Sequence, residues 1–348
     1  MSLGITPRPD AERPELDDSR QLIQSFHDQQ RRIIDQVRRI IIGQDEVVEH
    51  LLLTLLVGGH CLITGMPGTA KTLLVRTLAT ALGLKFKRIQ FTPDLMPTDV
   101  TGTDIIEEDV TTGHRKWTFI EGPIFTNVLL ADEVNRTPPK TQAALLEAMQ
   151  ELSVTVRGNT YQLAPPFFVL ATQNPIELEG TYTLPEAQLD RFLFNVVLDY
   201  LTTDQEVAVV NRNTGDPLPP VDACTTREEI LRYQQLVRQV PISEDVVRYA
   251  VDFVRATRPR DPLAPEVIRK YVNYGASVRA TQFLVMAAKA RALMNNRFHV
   301  TIEDLQALIL PVLRHRVLAN FHAESDGLTV DDVLRKLLAE RPAAVHRA

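Results

Sequence analysis

The sequence predicts an α/β fold: a parallel sheet flanked by helices, followed by a largely helical second domain. Three observations predict it. Short apolar runs recur between His60 and Leu198 with helical spacing between them, a glycine-containing loop with a lysine directly follows the first run, and after Thr203 the apolar spacing is helical almost throughout. Runs that are apolar at every position and separated by helices are the mark of parallel strands buried on both faces.

Taken in order, residues 1–18 are Pro-rich and acidic and read as a mobile tail. A helix is expected from a Ser19 cap past Phe26, Ile33, Ile34 and Val37 toward Ile41, with Arg31, Arg32, Arg38 and Arg39 on a solvated face. Strands are expected at 60–64, 86–90, 127–131, 167–172 and 194–198, which makes 19–202 the α/β domain. Residues 203–348 form the helical domain, and Pro217, Pro219 and Pro220 mark a linker or insert within it. Two interruptions stand out in the α/β part. Val100 to Glu121 is Thr/Asp-rich, with Gly102 and Gly113, and breaks a helix; at about 153–163, two alternating segments flank Arg157-Gly158-Asn159 as a hairpin. The sole tryptophan, Trp117, is expected to pack under the first of these.

The chemistry concentrates at strand ends. Gly65-Met66-Pro67-Gly68-Thr69-Ala70-Lys71-Thr72 lies between strand and helix, the setting of a phosphate-binding loop. There, backbone N–H groups and a helix N-terminus converge on the phosphates of a nucleoside triphosphate, Lys71 reaches the β and γ oxygens, and the Thr72 hydroxyl holds Mg2+. Ala70 stands where the general pattern has glycine, and a helical φ would accommodate it. Asp132 and Glu133 end the third strand; the first suits a water-bridged Mg2+ and the second a general base for the attacking water. Asn174, past the fourth strand, is placed to orient that water. An acid pair also occurs as a solvated turn and Asn-Pro as a turn starter, so the weight rests on all three signals recurring in chain order.

Composition narrows the classes. A chain of 348 residues suits two domains, and 44% hydrophobic with 24% charged residues is globular. A net charge of −6 leaves no global basic field for nucleic acid. Met1 to Asp10 lacks the basic flank and apolar core of a secretory signal, and no apolar run reaches membrane-spanning length, so cytoplasmic residence is expected. Cys61 and Cys224 have neither metal nor redox spacing, no HExxH or Ser-His-Asp pattern is legible, and Mg2+ with the nucleotide is the one metal expected.

The chain resembles the MoxR-type AAA+ ATPases, within the group that also holds magnesium-chelatase ATPase subunits and MCM-like motors. The resemblance runs from about Ile33 to Leu318. Its carriers are Ile42-Gly43-Gln44, the loop from Gly65 to Thr72 with its Ala70, Phe91 to Pro97, Leu130 to Arg136, Ala171 to Pro175, Leu184 to Phe192 and Gly275 to Ala280. It implies an AAA+ P-loop NTPase sheet with a helical lid, ATP and Mg2+ as cofactors, and Gly43 and Gln44 among the nucleotide-binding residues. Arg191 resembles an arginine finger offered to a neighbouring subunit, and Arg279 a sensor arginine at the start of a lid helix, with Val278 where the family usually has proline. Gln90 sits where relatives restrain the catalytic glutamate, and Arg136 follows the acid pair in a family-like way. The interruptions become a helix-2 insert at about 100–121 and a pre-sensor hairpin, both facing a pore.

The implied activity is ATP hydrolysis in a homo-hexamer that remodels a client protein, in relatives often one with a von Willebrand factor A domain. A chelatase-type ATPase subunit and an MCM-like nucleic-acid motor are the alternatives. Against the motor, the hairpin tip offers Arg157 alone and no further DNA-binding domain is expected before Ala348. Against a mere ATP-bound scaffold stands the complete set of Glu133, Asn174 and Arg191. The resemblance leaves open whether Arg279 acts within its own subunit or across an interface.

Overall fold

A computed structural model describes residues 13–66, 68–108, 115–174, 182–215 and 217–340. Helices α1 (Arg13–Ile40) and α2 (Asp45–Val57) precede β1 (Cys61–Gly65), α3 (Lys71–Ala81) and β2 (Phe86–Gln90). Next come α4 (Pro97–Thr101), a hairpin of β3 (Gly102–Glu108) and β4 (Arg115–Glu121), β5 (Val128–Asp132) and α5 (Pro139–Glu151). A second hairpin, β6 (Ser153–Val156) and β7 (Asn159–Gln162), leads to β8 (Phe168–Gln173), α6 (Glu186–Leu189) and β9 (Phe194–Leu198). The rest is helical: α7 (Thr203–Asn213), α8 (Arg227–Gln239), α9 (Glu244–Ala256), α10 (Glu266–Tyr271), α11 (Val278–Met294), α12 (Ile302–Leu313), α13 (Phe321–Ser325) and α14 (Val330–Glu340). A short ladder of β10 (Val272–Tyr274) with β11 (Leu318–Ala319) is set among them. No helix among the described residues is long and apolar enough to cross a membrane.

The five-stranded sheet has the order β2-β5-β8-β1-β9, and every neighbouring pair is parallel. Side chains alternate between two apolar layers, as a pleat of period two requires. Cys61, Ile63, Val128, Leu130, Phe168 and Leu170 face one layer; Leu62, Leu129, Val169 and Ala171 face the other. Both layers are dry, which is why these strands read as continuous apolar runs. The first layer continues without a break into the second domain through α2, which is buried nearly all round between β9, α8 and α11. The two domains therefore share a core.

Four expectations are revised. The first helix begins at Arg13 instead of Ser19, inside the stretch read as tail. Residues 1–12 and 341–348 lie outside the described residues. The insert at 100–121 is an ordered antiparallel hairpin in register from Gly102↔Glu121 to Glu108↔Arg115, with Gly113 outside the described residues. Its base needs Gly102, whose φ is +96° and whose missing side chain leaves room for the Ile120 carbonyl. In the second hairpin the turn is the two-residue Arg157-Gly158, φ 49° and 85°, so pairing resumes at Asn159, one residue earlier than the alternation suggested. Trp117 does not pack beneath the insert. It is 56% exposed, and the Arg157 guanidinium from the other hairpin sits 4.5 Å from its ring centroid. Below this contact Phe119 stacks on Tyr161 at 3.9 Å, so the two hairpins form one unit.

Candidate functional site

Parallel strands direct their C-terminal ends to one edge, and β1, β8 and β5 are adjacent there. The loop after β1, the acid pair after β5 and Asn174 after β8 are thereby brought together. Gly65 is needed for closeness, since a side chain there would collide with Leu198 on β9. Thr69 donates from its hydroxyl to the Met66 carbonyl at 2.9 Å, tightening the loop; Pro67 lies outside the described residues. Ala70 differs from expectation: its φ of 57° and ψ of 24° are left-handed, not helical. The chain must reverse sharply between Gly68, at φ 83°, and α3, and only that geometry leaves the first N–H groups of α3 pointing into the loop. The Leu74 N–H is the first of the helix to find a helical partner, on the Ala70 carbonyl.

Lys71 opens α3 and donates from Nζ to the Gly65 carbonyl. Partial burial lowers its pKa, while the carboxylates of Asp132 and Glu133 pull the other way. Thr72, the next residue, is half-buried at the same helix start. Opposite them, Asp132 Oδ1 accepts from the Thr172 hydroxyl at 2.5 Å and Oδ2 from Arg88 at 2.6 Å. Glu133 occupies left-handed backbone, φ 58°, and its N–H donates to the same Thr172 oxygen at 2.9 Å. Gln90 Nε2 donates to Glu133 Oε2 at 2.7 Å, and Arg136 Nε lies 3.1 Å from that oxygen. Gln90 in turn accepts from Arg88 at 2.6 Å. Asn174 is buried just beyond β8.

Thr172 and Arg88 were missed by sequence reasoning. Arg88 had a signal: it lies two residues before Gln90 on an edge strand and so shares its face, and register sets Gln90 beside Asp132. The signal for Thr172 was its place two residues before Asn174, on the strand next to the acid pair.

Beside the loop lies a cleft of about 390 Å³, walled by Ile41, Gln44, Ala70, Leu73, Tyr200 and Val210. Gly68 and Thr69 line its end nearest the loop, and the rest mixes apolar side chains with Asp199, Glu206 and Arg212, a lining and size that fit a nucleobase. Gln44 lines this cleft; Gly43 does not, its α-carbon facing Gln205 instead, and both adopt left-handed backbone ahead of α2. The donor set fits ATP with Mg2+. Thr72 and Asp132 offer the hard oxygens such an ion takes alongside phosphates, and Lys71 with the α3 N-terminus supplies positive charge.

Arg191 and Arg279 are elsewhere. Arg191 precedes β9, whose register with β1 runs from Cys61↔Phe194 to Gly65↔Leu198. It therefore stands at the N-terminal edge of the sheet, separated from the loop by the length of β1, about 13 Å at ~3.3 Å per residue. A separate shallow depression holds Arg191 and Arg279 together with Gln150, Asp190, Ser277 and Gln282. Asp190 does not pair with its neighbour Arg191. It accepts instead from Arg316 at 2.8 Å and from the Ser277 hydroxyl at 3.0 Å, with Arg279 at 3.7 Å. The Arg191 guanidinium has no hydrogen-bond or ion-pair partner among the described residues. Val278 in the place of proline does not loosen the start of α11, because Ser277 caps it and Asp190 holds Ser277.

Comparison with known proteins follows this geometry. The family model of the ATPase family associated with various cellular activities (AAA) matches residues 60–194, and that of the AAA lid domain matches 265–337. Chaperone MoxR1 of Mycobacterium tuberculosis is 42% identical over 88% of this chain and 80% of its own length. The Bacillus subtilis protein YeaC is 39% identical, over 91% of this chain and 95% of its own. A crystal structure of a candidate ATPase from Cytophaga hutchinsonii superposes with a TM-score of 0.87 at 40% identity, covering 94% of this chain and 98% of that one.

Proposed function

Because this chain belongs to the MoxR family of AAA+ ATPases, we propose that it hydrolyses ATP to ADP and phosphate as a homo-hexameric ring that remodels a client protein in the cytoplasm. The observation that carries this reading is the division of the catalytic groups. Lys71, Thr72, Asp132, Glu133 and Asn174 gather at the C-terminal edge of the sheet, while Arg191 and Arg279 share a depression at its N-terminal edge. Neither arginine reaches its own loop. A complete centre then needs a second copy of the chain, and both arginines act in trans.

In that centre Lys71 and the N–H groups of α3 bind and orient the β and γ phosphates. Mg2+, when bound, neutralises phosphate charge, with Thr72 and Asp132 as its protein ligands. Glu133 takes the proton of the attacking water, and Asn174 holds that water in line. In the arrangement described above Glu133 is held by Gln90 and Arg136, so its release from Gln90 is the step that arms the base. Arg191 of the adjoining subunit stabilises charge on the transferring phosphoryl group. The paired hairpins are the client-facing parts. The basic tip of the second hairpin, Arg157, is engaged on Trp117, which supports a protein client over nucleic acid; a von Willebrand factor A domain protein is the partner class the family suggests.

The test mixes two inactive chains. Arg191→Ala and Glu133→Gln should each bind ATP nearly normally while turnover falls at least about 10²-fold. Together they should regain activity, because the pocket of the first and the finger of the second make one intact interface. A stable monomer with full, concentration-independent turnover refutes the shared site.

A further inference from the structure

The segment that carries Arg191 is held by the helical domain as well as by the sheet domain it belongs to in sequence, where the Leu193 N–H donates to the His60 carbonyl. Three consecutive residues beyond α12 provide the hold from the helical domain. Arg314 Nη1 donates to the Asn195 carbonyl at 3.0 Å and pairs through its other edge with Asp331 at 2.8 Å. His315 Nε2 lies 3.1 Å from the Phe192 carbonyl. Arg316 is 1% exposed at its side chain and spends its whole guanidinium on this contact. Its Nε donates to Asp190 Oδ1 at 2.8 Å, Nη2 to the Asp190 carbonyl at 2.9 Å and to the Phe192 carbonyl, and Nη1 to the Leu193 carbonyl at 3.2 Å and to the Val312 carbonyl. The Phe283 ring of α11 covers the guanidinium at 5.1 Å.

Burying a guanidinium costs several kcal/mol unless every donor is met, and removing one partner of such a pair is far more damaging than never having had it. Surface attachment of α6 to α12 would not need this. The fork geometry also specifies: three of its five planar donors reach carbonyls on both sides of Arg191 and fix that backbone in direction as well as distance. Asp190 carries the constraint onward, since its other oxygen accepts from Ser277, the cap of the helix on which Arg279 is the second residue. Burial draws the Arg316 pKa down to about 10 against the opposing pull of Asp190, so the group stays charged at neutral pH.

We propose that Arg316 is a positioning residue that, through Asp190 and the carbonyls flanking Arg191, ties Arg191 and Arg279 into one face at the seam of the two domains, so that the lid of one subunit sets the direction of the arginines offered to the next. This rests on the trans role of Arg191 proposed above. It adds the element that aims that arginine.

The experiment is a mutant cycle on the full chain, reading kcat, ATP affinity by calorimetry and ring size by size exclusion. Arg316→Lys keeps the charge and loses the fork. It should leave ATP affinity and assembly within about twofold and lower kcat about 10²-fold, the order associated with a ~1 Å misplacement near the chemistry. In a background with both Arg191→Ala and Arg279→Ala the same change should cost almost nothing more, because the groups it aims are already gone. Losses that multiply, or an unchanged kcat for Arg316→Lys, overturn the positioning role while leaving the finger intact. An unchanged kcat for Arg191→Ala alone overturns the finger and this inference with it. Should Arg316→Lys fail to fold, Asp190→Asn enters the same cycle, keeping acceptor geometry at Oδ1 with the same outcomes expected.

Discussion

The two edges of the sheet solve different problems with different chemistry. At the C-terminal edge the proposed nucleotide site is built largely from backbone: a loop with left-handed Gly68 and Ala70 and a helix N-terminus, with carboxylates at strand ends. At the N-terminal edge, side chains do the holding, and they come from far apart; Asp190 and Arg316 are joined across most of the second domain. The first arrangement is local because a phosphate can be cradled by a few consecutive residues. The second cannot be local, since its task is to tie a finger to a different domain. On the reading proposed above, nucleotide binding belongs to the C-terminal edge alone while turnover needs both edges, and substitutions can force that division into view.

The largest effects should separate the edges outright. Lys71→Ala removes the side-chain cation of the loop and should abolish tight ATP binding and with it turnover. Arg191→Ala should leave calorimetric affinity within a few-fold and still lower kcat by ~10³ or more, the usual worth of an arginine finger. If Lys71→Ala binds ATP like the wild type, the loop is not the phosphate site. If Arg191→Ala weakens binding in a monomer, the two edges are not functionally distinct.

How much of this was legible in the sequence follows the same divide. The strands, the loop, the acid pair and Asn174 could be read because each is a contiguous pattern with a backbone reason. The insert read as an irregular Thr/Asp-rich stretch because its strands are exposed on both faces, with Ile106, Trp117 and Ile120 open to solvent, so neither burial nor alternation marked them. Arg316 carried no signal at all: an arginine after an apolar helix reads as a C-terminal cation. Only the fold shows it buried beside Asp190. Ala70 could be located but not its conformation, since alanine is chosen there against its own backbone preference.

A second, smaller difference between the edges should appear with pH. Two buried histidines, His50 and His60, and the half-buried His315 lie around the segment from Phe192 to Phe194. His60 offers its carbonyl to the Leu193 N–H, His50 packs its ring 5.3 Å from that of Phe194, and His315 meets the Phe192 carbonyl. Burial holds His50 and His60 neutral down to about pH 4 and His315 well below the usual range. In the unfolded chain each takes up its proton near pH 6.5. The native state is therefore fully favoured above that value, and stability is lost as pH falls from about 6.5 toward 4, by about 3 kcal/mol for each of His50 and His60. Hydrogen exchange across that window should show the amides of 192–194 and of Val169, whose N–H donates to His60 Nδ1 at 3.1 Å, losing protection before those of β5. Uniform loss along the sheet would remove the contrast.

The smallest expected effect probes the C-terminal edge. Ala70 is left-handed, which costs a residue with a Cβ about 1 kcal/mol relative to glycine. Ala70→Gly relieves that cost and restores the general loop pattern, yet it also frees the unfolded chain by roughly 0.4 to 1 kcal/mol. The two contributions nearly cancel, so denaturant unfolding without nucleotide should shift by less than about 0.5 kcal/mol. ATP affinity should change less than about threefold, because the N–H groups that bind phosphate keep their directions. The methyl borders the cleft beside Leu73 and Tyr200. A stability change above about 2 kcal/mol, or a tenfold loss of affinity, would mean that the methyl supports the base-binding wall and that alanine is there for packing; near-silence would mean that the loop tolerates it because its work is done by backbone alone.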